Sequence, residues 1–186
     1  PDKARDWSRM VASRMIEQID GLALIADEFS HFARLPKAKA IKFDLRDLVN
    51  SAYELHRINE NSVSLKLENS TETCHVFADR NQLLRVANNL IKNAFQAISQ
   101  QEGGEVIIRV KTQGNEVELT VNDNGPGIDD AIRERIFQPN FTTKSSGMGL
   151  GLAMCRNIVQ QANGQISFTT EPGIGTTFSV VLPLAE

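Results

Sequence analysis

Two asparagines four residues apart, Asn89 and Asn93, are the first side chains in this sequence whose type and spacing bear on chemistry. Helical spacing places both amides on one flank of the stretch from Arg80 to Gln100, beside an apolar stripe of Leu83, Ala87, Leu90, Ala94, Ala97 and Ile98. Mg²⁺ takes oxygen ligands, and at nucleotide sites it draws only one or two of them from protein while phosphates and water supply the rest. An asparagine at the edge of a groove suits that role. Two ordinary surface amides are the alternative.

A second string, Asp123-Asn124-Gly125-Pro126-Gly127, directly follows an apolar run. A carboxylate there is able to accept a hydrogen bond from an exocyclic amino group, which adenine has where guanine carries a carbonyl, so Asp123 would hold one base and reject the other. Gly125 and Gly127 allow the backbone to come close to a ligand. An Asn-Gly hairpin turn is the competing reading of the same string. A third string, Gly147-Met148-Gly149-Leu150-Gly151-Leu152, opens a helix, where free N–H groups and the helix dipole favour an anion such as phosphate. Its spacing fits neither the G-x-x-x-x-G-K-S/T loop nor the G-x-G-x-x-G fingerprint. Between these two strings lies Ile136-Phe137-Gln138-Pro139-Asn140-Phe141-Thr142-Thr143-Lys144, an aromatic anchor followed by a short polar segment with one lysine. That pattern suits a lid over phosphates. Phe137 and Phe141 also suit ordinary core packing.

These strings need a scaffold, and the pattern supplies one. A strand is expected at Ile41 to Phe43, a helix from Leu45 to Arg57, and paired strands at Val63 to Leu67 and Cys74 to Phe77. The Arg80 to Gln100 helix follows, then strands at Glu105 to Lys111 and Glu116 to Val121, a helix from Leu150 to Gln161, and strands at Gln165 to Thr170 and Thr176 to Leu182. Helices on one side of a mostly antiparallel mixed sheet, an α+β two-layer sandwich, bury these faces most economically. Ahead of them, residues 5 to 35 carry apolar side chains at heptad spacing (Met15, Leu22, Phe29; Val11, Ile25, Phe32), which predicts a long helix that packs in a bundle. A helix folded back on its own domain is the alternative. Pro36 ends it, so 1–36 and 37–186 are expected to be separate units.

Composition excludes several classes. With 41% hydrophobic and 23% charged residues among 186, the chain is that of a soluble globular protein with a packed core. Its net charge of −3, without a basic run, argues against nucleic-acid binding. No apolar run approaches the ~20 residues of a membrane span. The distant pair Cys74 and Cys155 suggests neither a disulfide framework nor a zinc site, and points to a reducing cytoplasm.

In order and spacing, Asn89 to Asn93, Asp123 to Gly127, Phe137 to Phe141, Gly147 to Gly151 and Gly175-Thr176-Thr177-Phe178 resemble the N, G1, F and G2 boxes of the GHKL ATPase superfamily, in its histidine-kinase branch. Over residues 37 to 186 the resemblance implies a Bergerat-type sandwich that binds ATP with Mg²⁺. It implies that Asn93 ligands Mg²⁺, that Asn89 supports it and contacts phosphate, and that Asp123 takes the adenine amino group. Gly125, Gly127, Ile128, Phe137, Thr143 and the loop of Gly147, Met148, Gly149, Leu150, Gly151 and Leu152 would then surround the nucleotide. Thr176 would assist at adenine and Lys144 would reach the terminal phosphate. Asp27 to Lys37 looks like the second stalk helix of nitrogen-regulation kinases of the NtrY type, whose phosphoacceptor lies on the helix before it. His31 lacks the acceptor's sequence context and is read as a stalk-surface residue. The chain is therefore expected to be a cytoplasmic catalytic portion of a kinase, lacking the acceptor histidine. Its expected partners are a histidine-bearing stalk helix and a response regulator, and the full kinase is expected to be a homodimer, with an inner-membrane anchor left open. A GHKL-type ATPase or a Ser/Thr-directed kinase module is the alternative. In the ATPase branches a glutamate precedes the Mg²⁺-binding asparagine by one helical turn, and here that position is Asn89.

Overall fold

The computed structural model describes Val11, Met15, Ile19 and residues 38–57, 63–69, 73–98, 102–143 and 148–185. Val11, Met15 and Ile19 are helical. The rest of the expected N-terminal helix, its Pro36 boundary and His31 lie outside the described residues. The elements run β1 (Ile41–Asp44), α1 (Leu45–Arg57), β2 (Ser64–Asn69), β3 (His75–Ala78), α2 (Arg80–Ile98), β4 (Glu105–Gln113), β5 (Glu116–Asp123), a 3-10 helix (Asp130–Arg135), α3 (Gly151–Gln161), β6 (Gln165–Glu171) and β7 (Gly175–Pro183).

Strand periodicity sets the inner face of the main sheet. Val106, Ile108 and Val110 of β4, Val117, Leu119 and Val121 of β5, and Phe178, Val180 and Leu182 of β7 alternate with half-exposed or exposed neighbours and are all buried. The helices answer at their own period. Leu45, Leu48, Val49 and Ala52 of α1, Leu83, Val86, Ala87, Leu90, Ile91, Ala94 and Ile98 of α2, and Met154, Cys155, Ile158 and Val159 of α3 form the buried stripes that meet that face in one core. Each fully buried Leu or Ile contributes about 1.5–3 kcal/mol. This is the α+β two-layer sandwich that the patterning predicts.

The five-stranded sheet has the order β2-β4-β5-β7-β6, with β2 parallel to β4 and every other pair antiparallel. The expected pairing of Val63–Leu67 with Cys74–Phe77 does not occur. β2 runs beside β4, while β3 pairs antiparallel with β1 in a separate two-stranded sheet. Closeness in sequence suggested a hairpin, but stronger local ties take each strand elsewhere. The Leu45 amide donates to the Cys74 carbonyl at 2.9 Å and the Cys74 amide donates to Asp44 Oδ1 at 3.4 Å, which fixes β3 to the start of α1. The Ser64 amide donates to the Gly104 carbonyl at 2.9 Å, which fixes β2 to the start of β4.

Asp79 caps α2, accepting from the amides of Asn81 at 3.0 Å and Gln82 at 3.1 Å. Ala97, expected in the apolar stripe, is exposed, because it lies at the edge of that stripe and faces a cleft instead of the sheet. Among the described residues no helix is long and apolar enough to cross a membrane.

A cleft between α2, α3 and the loop after β5

The polar side of α2 forms one wall of a cavity of about 770 Å³, within the ~300–1,000 Å³ of typical small-molecule sites. Asn89, Lys92, Asn93, Gln96 and Ala97 all line it, which is the i, i+3, i+4, i+7, i+8 spacing of a single helical face. The two asparagines are thus brought together on the cavity wall, half-buried. The facing walls come from Pro126 to Asp129 after β5, Ile132 of the 3-10 helix and Ile136 just after it, Phe141 to Thr143, Met148 to Leu152, and Thr176 and Phe178 of β7.

Asp123 sits just behind this wall, only 3% exposed. Its burial follows from strand phase, since it takes the next inward-facing place after Val117, Leu119 and Val121. In register it lies opposite Thr176 of β7. Its Oδ1 accepts from the Gly125 amide at 3.0 Å and the Thr176 amide at 3.3 Å. Among the described residues Oδ2 accepts no hydrogen bond. Burial pushes this carboxyl above the ordinary carboxylate range, and the two amide hydrogen bonds only partly oppose it.

The loop after Asp123 is not a hairpin turn. The β4–β5 hairpin turns at Gly114-Asn115, where Gly114 has φ 60, and the chain after β5 leaves the strand. Asn124 ties it to the start of β4 instead, accepting from the Glu105 amide at 2.8 Å and donating to the Gly103 carbonyl at 3.0 Å. Gly127, at φ 77, passes so close to the β6–β7 turn that a Cβ would meet the Glu171 carbonyl oxygen at 2.6 Å. Thr170 Oγ1 accepts from the Ile128 amide at 2.9 Å and bonds Thr176 Oγ1 at 3.1 Å. Gly127 is therefore needed by the backbone behind it, a constraint separate from any approach to a ligand.

At the other end of the cleft α3 begins. Leu150 stands at its N-cap position and gives no side-chain hydrogen bond, so the first amides of the helix are left for another acceptor. Gly151 lies against Asn89, with a Cβ built on it 2.9 Å from Asn89 Oδ1. One turn further along, the Cys155 thiol is fully buried and pushed up to about 12 by that burial, with a hydrogen bond to Asn89 acting the other way. Gly149, at φ 67, carries the Phe141 backbone on its α-carbon. Phe141 lines the cleft, and the Arg135 guanidinium covers its ring at 4.4 Å.

Phe137 is placed behind the wall, with ring centroids 6.0 Å from Phe168 and 6.4 Å from Phe178. Gly125 is likewise buried against Asp123, Ile98 and Ala97. Lys144 and Gly147 lie outside the described residues. Lys92, Gln96, Asp129 and Ile132 line the cleft from outside the motifs quoted above. For Lys92 and Gln96 the signal was present, because they share the helical phase of Asn89 and Asn93.

The cleft has two chemically different ends. Ala97 adjoins Gly125 beside the buried carboxyl, and Asn89 adjoins Gly151 at the start of α3. Eight residues of helix separate them, about 12 Å. Among the described residues no group of three or more His, Cys, Asp or Glu side chains is placed to hold a metal. The amide oxygens of Asn89 and Asn93 on the cleft wall suit a hard cation that brings phosphate and water for the rest of its shell.

Residues 78–186 match the family model described as histidine kinase-, DNA gyrase B-, and HSP90-like ATPase. Over 176 residues the chain is 34% identical to the alginate biosynthesis sensor protein KinB of Pseudomonas aeruginosa, an alignment covering 90% of this chain and 29% of that protein. It is 28% identical over 172 residues to the NtrY-like sensor histidine kinase of Rickettsia conorii, covering 92% of this chain and 29% of the other. The chain thus spans under a third of the length of these two relatives. Among solved structures it is similar to the catalytic domain of histidine kinase ThkA in a nucleotide-free form, with a TM-score of 0.70 and 32% identity over 78% of this chain and 96% of that one. It is also similar to ThkA in complex with the response regulator protein TrrA, with a TM-score of 0.74 and 26% identity over 90% of this chain and 49% of that one.

Proposed function

Because the chain belongs to the histidine kinase-, DNA gyrase B-, and HSP90-like ATPase family, we propose that its cleft holds ATP with Mg²⁺ and presents the γ-phosphoryl group to a histidine on a kinase stalk helix. The observation that carries this reading is the polarity of the cleft: a buried carboxyl at one end, and two amides with the start of a helix at the other.

Asp123 Oδ2 accepts the adenine amino group, and Thr176, whose amide orients the same carboxyl, closes that end. The phosphates extend along α2 to the open amides of α3, where Gly151 leaves room for the Asn89 carboxamide. Asn93 supplies one oxygen to Mg²⁺, and Asn89 supports that position and contacts phosphate. The metal, when bound, neutralises phosphate charge and so makes the terminal group a better electrophile. Phe141 and Thr143 close the cleft from the lid side, and Lys144 reaches the terminal phosphate.

Transfer is favoured over hydrolysis because the side chain at position 89 is an amide, which cannot take a proton from water as a carboxylate would. Among the described residues lining the cleft the one carboxylate is Asp129, whose Oδ1 accepts from the Ala131 amide at 2.9 Å. The name of one relative as a sensor histidine kinase, and the complex of ThkA with the response regulator protein TrrA, support a response regulator as the eventual acceptor. On this reading the chain is cytoplasmic and belongs to a homodimeric kinase, with residues 1–36 as part of the second stalk helix and residues 37–186 as the catalytic domain.

Two measurements test the reading. ATP with Mg²⁺ should raise the melting temperature clearly and GTP hardly at all; equal shifts would remove the role given to Asp123. Labelled phosphate should pass from ATP to a separately supplied stalk bearing its histidine, while phosphate release into water stays slow. Rapid hydrolysis with no labelled stalk would favour the ATPase alternative.

A further inference from the structure

We propose that Lys92 is a phosphate-binding residue of this cleft, its ammonium reaching over the rim to the terminal phosphates of the bound nucleotide. The proposal deepens the reading of the cleft as an ATP site and rests on it.

Position is the first ground. Lys92 lies three residues after Asn89 and one before Asn93 and is exposed at the cleft. Asn89 marks the end of the cleft where α3 begins, and one helical turn along α2 is about 5 Å, well within the reach of a lysine stem. Charge is the second ground. Of the described residues lining the cleft, Lys92 is the only cation and Asp129 the only anion, so among them Lys92 alone carries a charge that opposes that of a polyphosphate. Availability is the third. Among the described residues no ion pair includes Lys92, although Lys66, Arg46, Arg57, Arg109 and Arg133 each have a carboxylate partner. A lysine is a mobile point charge able to follow a phosphate without a fixed fork geometry. A merely solvated surface lysine would share the exposure but not respond to the number of phosphates on the ligand, and that difference decides the test.

Equilibrium affinities of the wild-type chain, Lys92→Ala and Lys92→Arg are measured for ATP, ADP and adenosine at one Mg²⁺ concentration and ionic strength. Lys92→Ala should weaken ATP by about tenfold, ADP by less and adenosine not at all, while Lys92→Arg keeps most of the ATP affinity. An equal loss for all three ligands, or no loss for ATP while the wild-type chain binds it, overturns the assignment of Lys92 alone. A wild-type chain that binds none of the three overturns the reading of the cleft and this proposal with it.

Discussion

The carboxamide of Asn89 rests on the α-carbon of Gly151: a Cβ placed there would meet Oδ1 at 2.9 Å and Nδ2 at 3.0 Å. A polar group on one helix is thereby set against the first residue of another, and hydrogen or methyl at position 151 decides where the amide points. Gly151→Ala forces the side chain of Asn89 aside, which a rotatable amide does cheaply. Alanine at a helix start also regains roughly 0.5–1 kcal/mol of the backbone entropy that glycine costs. Melting temperature should therefore stay near wild type while ATP affinity falls about tenfold. A large loss of stability, or an unchanged affinity, would contradict this account.

Asp123 places function against stability. Its ionised form is disfavoured by burial. The carboxyl's contribution to stability is therefore complete below its ordinary value of 3.8 and is lost as pH rises through the raised folded-state value. Asp123→Asn keeps an oxygen for the Gly125 and Thr176 amides and removes the buried charge. At neutral pH the free chain should melt no lower than wild type. The new amide nitrogen would face adenine's amino group, donor to donor, so ATP affinity should drop by at least about tenfold while GTP binds no worse. Melting curves with and without each nucleotide separate these outcomes, and a variant that unfolds earlier yet keeps its ATP response would reverse the argument.

Much of this was legible because local periodicity and the site coincide. Asn89 and Asn93 stand out against the apolar stripe of α2, and Asp123 breaks the valine-leucine alternation of β5 at its last inward place. What was not legible depends on contacts between distant segments. β2 finds its parallel partner only through Gly104, forty residues on, and Ala97 looks like core until the loop after β5 is seen to leave the space beside it open. Phe178 belongs to two patterns at once, lining the cleft and packing on Phe137 and Phe168, and a strand pattern reports only that it is apolar and points inward.

His56 gives the fold an acid-sensitive contact. Buried at the end of α1, it places Nε2 3.2 Å from Asn88 Oδ1 and its ring 5.9 Å from Phe95. Burial lowers its pKa, the hydrogen bond to Asn88 raises it by less, and the charge of Lys92 lowers it further. The fold favours the neutral imidazole, so its contribution is complete above the ordinary value of 6.5 and is lost as pH falls below that toward the depressed folded-state value. The urea midpoint should fall on acidification from about pH 7.5 to about pH 5.5. His56→Gln, which retains a donor for Asn88, should flatten that slope while costing roughly 1 kcal/mol of ring packing at the upper pH. An equal slope in both proteins would place the acid sensitivity elsewhere.

Cys155 offers a probe of whether the cleft closes as one unit with the core. Its thiol is fully buried and pushed up to about 12, so it is both shielded and protonated at the pH where alkylating reagents act. Labelling then requires the interface of α2 and α3 to open, and that interface carries Asn89 and Gly151. If ATP binds only the closed form, it lowers the open population by a factor of one plus its concentration over its dissociation constant. Modification of Cys155 should accordingly slow by about a hundredfold at a hundred times that constant. Cys74, equally buried but bound to the α1–β3 junction, reports on the same opening only if the whole domain unfolds together. Peptide-resolved mass spectrometry follows the two thiols separately. Equal slowing at both positions would identify a global transition, and slowing at Cys155 alone a local one at the cleft. Rapid labelling of Cys155 in the native chain, or a rate indifferent to saturating ATP, would show that the α2–α3 interface does not govern access to the site.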